Sequence, residues 1–279
     1  MDAIKNAEQK DDFTHLEVEY TGKYALGSKG GELLYFYGIE KNTLEQISTI
    51  DGHMGPVTSI SFSKNGKYAV STDFAGGLIF MEISNGNVYK KFIKQITENK
   101  PIYDTAMLTG TAGNETVFCG CENGEVHMID VENGIEQNST VFVADEDSII
   151  SLDCNSDYLI TASSSGNLKY AQVCGNKLLD SKKISTFPGE ISTVKITKKN
   201  CFERIYIAVG LTSGNLFIYS YVNSEFKVLN KFECGSPIYA LNWVQGGFSL
   251  SVLHGENGIK VYDLQEDNTF KEVAVNQSD

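Results

Sequence analysis

Short alternations of apolar and polar positions run through the chain, among them Val57-Thr-Ser-Ile-Ser-Phe62, Leu78-Ile-Phe-Met-Glu-Ile83, Ser192-Thr-Val-Lys-Ile196 and Leu216-Phe-Ile-Tyr-Ser-Tyr221. Each is bounded by Gly, Asn or Ser, and no helix-period stretch outlasts two turns. Period-two patterning sends successive side chains to opposite faces of a sheet, so the chain reads as strand after strand. One tight turn recurs six times: Lys29-Gly-Gly-Glu32, Ala75-Gly-Gly-Leu78, Glu122-Asn-Gly-Glu125, Ser164-Ser-Gly-Asn167, Thr212-Ser-Gly-Asn215 and Glu256-Asn-Gly-Ile259. Its glycines at 31, 77, 124, 166, 214 and 258 are 46, 47, 42, 48 and 44 residues apart. Glycine suits such a turn because hairpins of the right twist need positive φ. Four residues after each glycine stands a large side chain (Tyr35, Met81, Met128, Tyr170, Ile218, Tyr262), placed to plug the space between neighbouring sheets.

Repeats of about 45 residues with four short strands are the signature of a WD-repeat β-propeller. The expected fold is therefore all-β and six-bladed. The blades fall at about 13–50, 51–95, 96–143, 144–187, 188–234 and 235–275, after a polar segment 1–12 and before a tail 276–279. Blade 2 carries the repeat best: Gly52-His53, the strand Val57 to Phe62, the turn Ser63-Lys-Asn-Gly66, Tyr68-Ala-Val-Ser71, the Gly-Gly turn and Leu78 to Ile83. The Trp-Asp dipeptide is absent, Tyr262-Asp263 being its nearest relic. Ala75, Glu122, Ser164, Thr212 and Glu256 stand near the place of the usual turn aspartate, so the hydrogen-bond network of His53 is not expected to close.

Phe13-Thr-His-Leu-Glu-Val-Glu-Tyr20 reads as the first strand of blade 1, which leaves no obvious spare strand to seal a ring. Six blades can close on themselves. An open ring with two unpaired edges is equally compatible with the count, and an open edge would need covering by a partner.

Charge narrows the classes of partner. Thirty-six acidic against 23 basic residues give −13, a surface that repels phosphate backbones and anionic headgroups. Arg204 is the only arginine among those bases, so bidentate grips on phosphates or guanine edges are scarce. Nucleic acid and direct membrane insertion are thus not expected. No apolar run of membrane-spanning length exists, the first 12 residues have no signal-like apolar core, and six cysteines without such a signal fit a reducing cytosolic or nuclear setting.

The residues also carry a family resemblance. Ile4-x-Asn6-Ala7, His15, Tyr20-x-Gly22-Lys23, Ala25 and Ser28 resemble the opening of the small WD-repeat subunit of the COPII vesicle outer coat, which is also a component of the nuclear pore's Y-shaped scaffold. Gly52-His53-x-Gly55-Pro56-Val57 is similar to that family's second blade. Ile238-Tyr-Ala-Leu-Asn-Trp243, Gly246 and Glu256-Asn257 to Tyr262 are similar to its sixth. The resemblance is dense over residues 1–70, and the middle blades match in spacing alone. It implies an open six-bladed propeller completed by a blade donated in trans by a large α-solenoid coat or nucleoporin protein. It implies a place in the cytoplasm at endoplasmic reticulum exit sites on COPII vesicles, serving ER-to-Golgi transport, or at the nuclear envelope.

Catalytic chemistry is thinly represented. His53 belongs to the repeat signature, and His15, His127 and His254 lie on or beside strands, where a lone histidine has structural partners more often than a catalytic task. Cys119-x-Cys121 lacks the second pair a zinc site needs, and period two points both into a packed face. Residues 27–31 have neither the Gly-Lys-Ser/Thr ending nor the helix of a phosphate loop. Asp145-Glu-Asp147 reads as a solvated charge run. The chain therefore reads as a non-catalytic scaffold, without cofactor, metal or small-molecule substrate. A propeller adaptor of another kind (nucleoporin, kinetochore or signalling) is the alternative, and a channel-metal propeller enzyme is a third. In the scaffold reading the partner-binding residues lie on blade 1 (Phe13, Leu16, Val18, Tyr20, Tyr35, Tyr37) and blade 6 (Ile259, Val261, Tyr262, Leu264, Phe270, Val273).

Overall fold

The computed structural model describes residues 13–40, 43–110, 113–175, 177–200, 202–255 and 258–273. Among the described residues, six four-stranded antiparallel meanders account for the strands, each with its strands paired in chain order. They span residues 15–50, 57–95, 102–143, 149–186, 191–233 and 238–273, here blades 1 to 6. The fold class is that of an all-β six-bladed propeller. The chain divides into two compact units, residues 1–146 and 147–279, with three blades in each.

Apolar alternation on both faces of each sheet builds the cores. In the first unit, Leu26, Leu34 and Phe36 of blade 1 pack on Ile60, Ile79 and Met81 of blade 2. The opposite face of blade 2, through Tyr68, Val70, Leu78 and Phe80, packs on Ile102, Val117, Cys119 and Ile129 of blade 3. In the second unit, Ile160 and Leu168 of blade 4 meet Val194, Ile207 and Val209 of blade 5. Tyr206, Ala208, Leu216 and Ile218 of blade 5 meet Leu241, Leu250, Tyr262 and Phe270 of blade 6. Within each unit a blade thus has an upstream face, on the side of the blade before it, and a downstream face, on the side of the blade after it; the same names are used for the corresponding faces of the outer blades.

Polar bonds lock the first strands of neighbouring blades in register. The Thr105 N–H donates to Ser59 Oγ (3.1 Å) and the Ser61 hydroxyl donates to the Thr105 carbonyl (2.8 Å). In the second unit the Ile196 N–H donates to Asp153 Oδ2 (2.8 Å) and the Trp243 indole N–H to the Lys195 carbonyl (3.0 Å).

Two sequence expectations are corrected here. The first concerns the turn. Gly76, with φ of 85°, is the left-handed residue in blade 2, not Gly77, and its N–H returns to the Asp73 carbonyl. Gly124, Gly166 and Gly214 make the same bond to Cys121, Ser163 and Leu211. A β-carbon at Gly76 would lie 2.8 Å from the Lys100 carbonyl oxygen, so the site excludes every side chain. Blade 6 shares the later numbering, since Leu253 pairs Ile259 as Thr72 pairs Leu78. On the strand that follows, the residue two on from Leu78 in blade 2 is Phe80 and its equivalent, two on from Ile259 in blade 6, is Val261. Met81 and Tyr262, also buried, point to the upstream faces instead.

The second correction concerns His53, whose network closes. Its Nδ1 lies 2.9 Å from Asp73 Oδ2 and its Nε2 lies 2.8 Å from Ser71 Oγ, all buried. Asp73 also accepts the N–H groups of Gly77 (2.7 Å) and Met54 (3.1 Å). The aspartate ends the second strand (Tyr68–Asp73), two residues ahead of the place inspected in the sequence. Burial alone would push its carboxyl up, but the bonds from His53, Gly77 and Met54 hold it below its usual range.

A buried carboxyl between blades 2 and 3 behaves oppositely. Glu115 accepts the Thr109 hydroxyl (2.8 Å) and faces the Asn65 amide (3.4 Å). Burial pushes it from 4.5 to about 7, against the pull of those two bonds and of Lys67. Because the folded protein holds this proton more tightly than the unfolded chain, the contribution to stability is complete below pH 4.5. It is lost as pH rises through 7. Glu115→Gln is expected to remove that slope and to stabilise the protein at pH 8 by on the order of 3 kcal/mol. Urea unfolding of both proteins at pH 4.5 and pH 8 checks this, and parallel behaviour of the two would refute it.

Candidate interaction surfaces

The repeat allows each position to be compared with its equivalents in the other blades. The third strand contributes two downstream-facing side chains per blade: Leu34 and Phe36, Leu78 and Phe80, Val126 and Met128, Leu168 and Tyr170, Leu216 and Ile218, and Ile259 and Val261. The first of each pair is fully buried in blades 1 to 5, whereas Ile259 is 46% exposed. Val261 is half-buried where Ile218 is fully buried. Leu253 and Ala240, cross-strand neighbours on the same face, are exposed as well, and Tyr239 beside them is 62% exposed. Blade 6 therefore turns a core-type apolar face outward.

Blade 1 does the same on its upstream face. Leu16 pairs Gly27 and Val18 pairs Ala25, on the face that carries Tyr35 and Tyr37. The equivalent of Leu16 is Ile60 in blade 2, Leu152 in blade 4, Val194 in blade 5 and Leu241 in blade 6, all buried; Leu16 is 43% exposed. Val18 and Tyr20 are exposed too. At the end of this face Phe13 meets Tyr37 edge to face at 5.5 Å, and the Lys29 ammonium stands 4.6 Å from the Tyr35 ring centre. Gly27 makes room for Phe13: a β-carbon there would lie 2.7 Å from its ring.

Of the twelve residues picked from the sequence, Leu16, Val18, Tyr20 and Ile259 lie exposed on these faces, with Phe13, Tyr35, Val261 and Val273 half-buried beside them. Tyr37, Tyr262 and Phe270 are buried, and Leu264 packs half-buried against the same core as the last two. Tyr262 and Phe270 hold blade 6 to blade 5 and offer no surface to a partner. The sequence reading missed Tyr239, Ala240 and Leu253, although the alternation through Ile238 and the pairing across the turn mark them.

Histidines do not gather into a catalytic set. The His127 Nε2 lies 3.3 Å from Glu125, the His254 Nδ1 lies 2.8 Å from the Ser236 hydroxyl, and burial pushes His15 down against an opposing Asp104. No group of three His, Cys, Asp or Glu able to hold a metal occurs among the described residues. Cys119 and Cys121 are buried, and burial pushes the second thiol up to about 12, away from reactivity. No helix among the described residues is long and apolar enough to cross a membrane.

Comparison with known proteins agrees with this geometry. The WD40 family (WD domain, G-beta repeat) matches residues 44–79, the stretch that holds the His53–Asp73 pair. No curated protein sequence matches the chain. Among solved structures, the β-propeller domain of Cps50 (Swd1) from Myceliophteria thermophila is similar at a TM-score of 0.71. The match covers 95% of this chain and 86% of that one, at 13% identity. The chain therefore carries a WD40 repeat and has the WD-repeat propeller fold, an architecture typical of protein–protein interaction.

Proposed function

We propose that the protein is a non-catalytic scaffold subunit whose partner packs a further β-sheet against the exposed face of blade 6, and that the exposed face of blade 1 is by itself a second partner surface. The observation that carries this is the exposure of Ile259 and Leu16 at positions whose equivalents are core. Covering Leu16, Leu253, Ile259 and Tyr239 would bury apolar area worth about 1.5–3 kcal/mol per large side chain. An apolar face with such positions is a partner site far more often than bare surface. Sheet addition also fits the acidic, arginine-poor surface, because it relies on apolar burial rather than charge. The resemblance of residues 1–70 to the small COPII coat subunit supports a large α-solenoid protein as that partner, in the vesicle coat or in the nuclear pore scaffold.

The test is capture with tagged protein from native lysate, washed at high salt, beside a Leu253→Glu/Ile259→Glu variant. A stoichiometric α-solenoid coat or pore protein is expected with the parent chain and not with the variant, at every salt concentration, since apolar contacts are not screened. Capture that survives the double substitution, or a lone monomer from both lysates, would overturn the proposal.

A further inference from the structure

Among the described residues, the fourth strand of each blade pairs with the third alone, which leaves one row of its backbone N–H and C=O groups unpaired. Such an edge invites pairing with another chain, and charged side chains on it, lysine above all, are the usual protection. Lys90, Lys91 and Lys94 stand on that strand in blade 2, Lys182 and Lys183 in blade 4, and Lys227 and Lys231 in blade 5. In blade 6 the strand has only four residues. In blade 1 Glu45 stands between the exposed Leu44 and Ile47, and Ile47 packs over Gly38. Blade 3 differs. Its fourth strand, Ile135–Val143, carries Glu136 as its only charge, and Glu136 is paired with Lys94 of blade 2. The stretch from Gln137 to Val143 is uncharged, and Ile135, Val141 and Val143 are each more than half exposed.

The ladder shows which backbone groups face outward. The Ala144 N–H donates to the Gly124 carbonyl (3.0 Å), and the register runs on unbroken from there to Asn138 opposite Asp130. Alternation in an antiparallel pair then turns the N–H and C=O groups of Phe142, Thr140 and Asn138 toward the third strand. Those of Val143, Val141 and Ser139 point away from it. At the other end the Gln137 side-chain amide donates to the Ile135 carbonyl (3.1 Å), which closes the open stretch. The side chains of Ser139, Val141 and Val143 share one face of the sheet.

We propose that Ser139–Val143 is a self-association edge, on which two copies of this chain pair antiparallel about a twofold axis at Val141. Val141 then stands opposite its own copy and Val143 opposite Ser139, so that four valines form one apolar strip across the joint. Backbone bonds between the outward residues supply the affinity, and an isologous contact closes at two copies. The occupant is a second copy because the stretch is its own complement. Two chains of charge −13 repel wherever their acidic surfaces meet, and in this register no charge on the strand faces another. Few residues are buried, so the dimer is weak and depends on concentration.

Sedimentation equilibrium of the full chain, from low to high micromolar concentration, tests this. A monomer–dimer equilibrium is expected that tightens as salt rises, because screening removes repulsion between acidic copies and leaves backbone pairing intact. Val141→Lys, which sets two ammonium groups opposite each other, is expected to weaken it about tenfold or more. Val141→Pro removes an outward N–H and no bond within the blade, so it is expected to do the same without loss of the circular-dichroism signal of the sheets. Ile47→Lys, on the edge of blade 1, is expected to leave the dimer unchanged. Amide exchange of the parent chain gives a reading that needs no variant. Ser139, Val141 and Val143 should slow as concentration rises, while Thr140 and Phe142 are slow throughout. A monomer at every concentration, growth beyond a dimer, a dimer that survives both Val141 substitutions, or equal loss with Ile47→Lys would overturn the proposal.

Discussion

Asp73→Ala is expected to destabilise the protein by about 3–5 kcal/mol, because it strands His53 in a buried pocket and removes an acceptor from two backbone N–H groups. The side chains of His53 and Asp73 are each only 1% exposed, so water cannot replace the lost partner. Asp73→Asn, which keeps the shape and part of the bonding, is expected to cost about half as much. Replacing both partners by apolar residues, as in His53→Leu/Asp73→Leu, should cost less than the single Asp73→Ala change, since no buried polar group is then left unpaired. Urea midpoints measured at pH 7 on the four proteins check this order. A loss below about 1 kcal/mol for Asp73→Ala would show that the pair is ornamental. The pH dependence has a definite sign. Since the carboxyl of Asp73 is depressed in the folded state, its contribution is present above the ordinary carboxylate range and is lost as pH falls through its folded value. Asp73→Asn should therefore flatten the acid limb of the stability curve, the opposite end from the effect of Glu115→Gln.

The second large effect is a contrast between two residues at one repeat position. Leu216→Ala in blade 5 is expected to cost about 2–5 kcal/mol, because Leu216 is fully buried against blade 6 and its removal leaves a cavity. Ile259→Ala, the same position in blade 6, is expected to cost under about 1 kcal/mol in the isolated protein, since nearly half of the side chain already meets solvent. In the presence of a partner that covers blade 6, the two costs should converge when read as loss of complex stability. Thermal unfolding of both variants, free and in complex, measures this. Equal losses in the free protein would mean that blade 6 has an ordinary packed downstream face in solution, and the interaction surface would have to be sought elsewhere.

Local pattern made much of this legible. Alternation in Leu78–Ile83 and Leu216–Tyr221 follows from the two faces of a strand, and the glycine-marked turns follow from the steric demand for positive φ. The Cys119–Cys121 pair went inward for the same reason. Misplacement by one residue was possible where Gly76 and Gly77 are adjacent, because composition does not say which of two glycines takes the left-handed conformation. That single step sends a side chain to the other face, which is why Met81 packs on blade 1 and Phe80 on blade 3. The Asp73 network was missed for a related reason. Its two members lie 20 residues apart, and only the pairing of the first and second strands of blade 2, with Val57 opposite Asp73, carries Asp73 beneath His53.

Sequence alone therefore determined the all-β class, the six-fold repeat and an acidic surface poor in arginine, since these depend on period, turn chemistry and charge. Tertiary structure decided which face of each blade is covered. Ile259 and Leu216 are chemically similar, and Leu16 differs little from its counterparts Leu152 and Val194. Their exposure differs because burial belongs to the neighbouring sheet and not to the residue, and no pattern within a strand reports whether that neighbour is there.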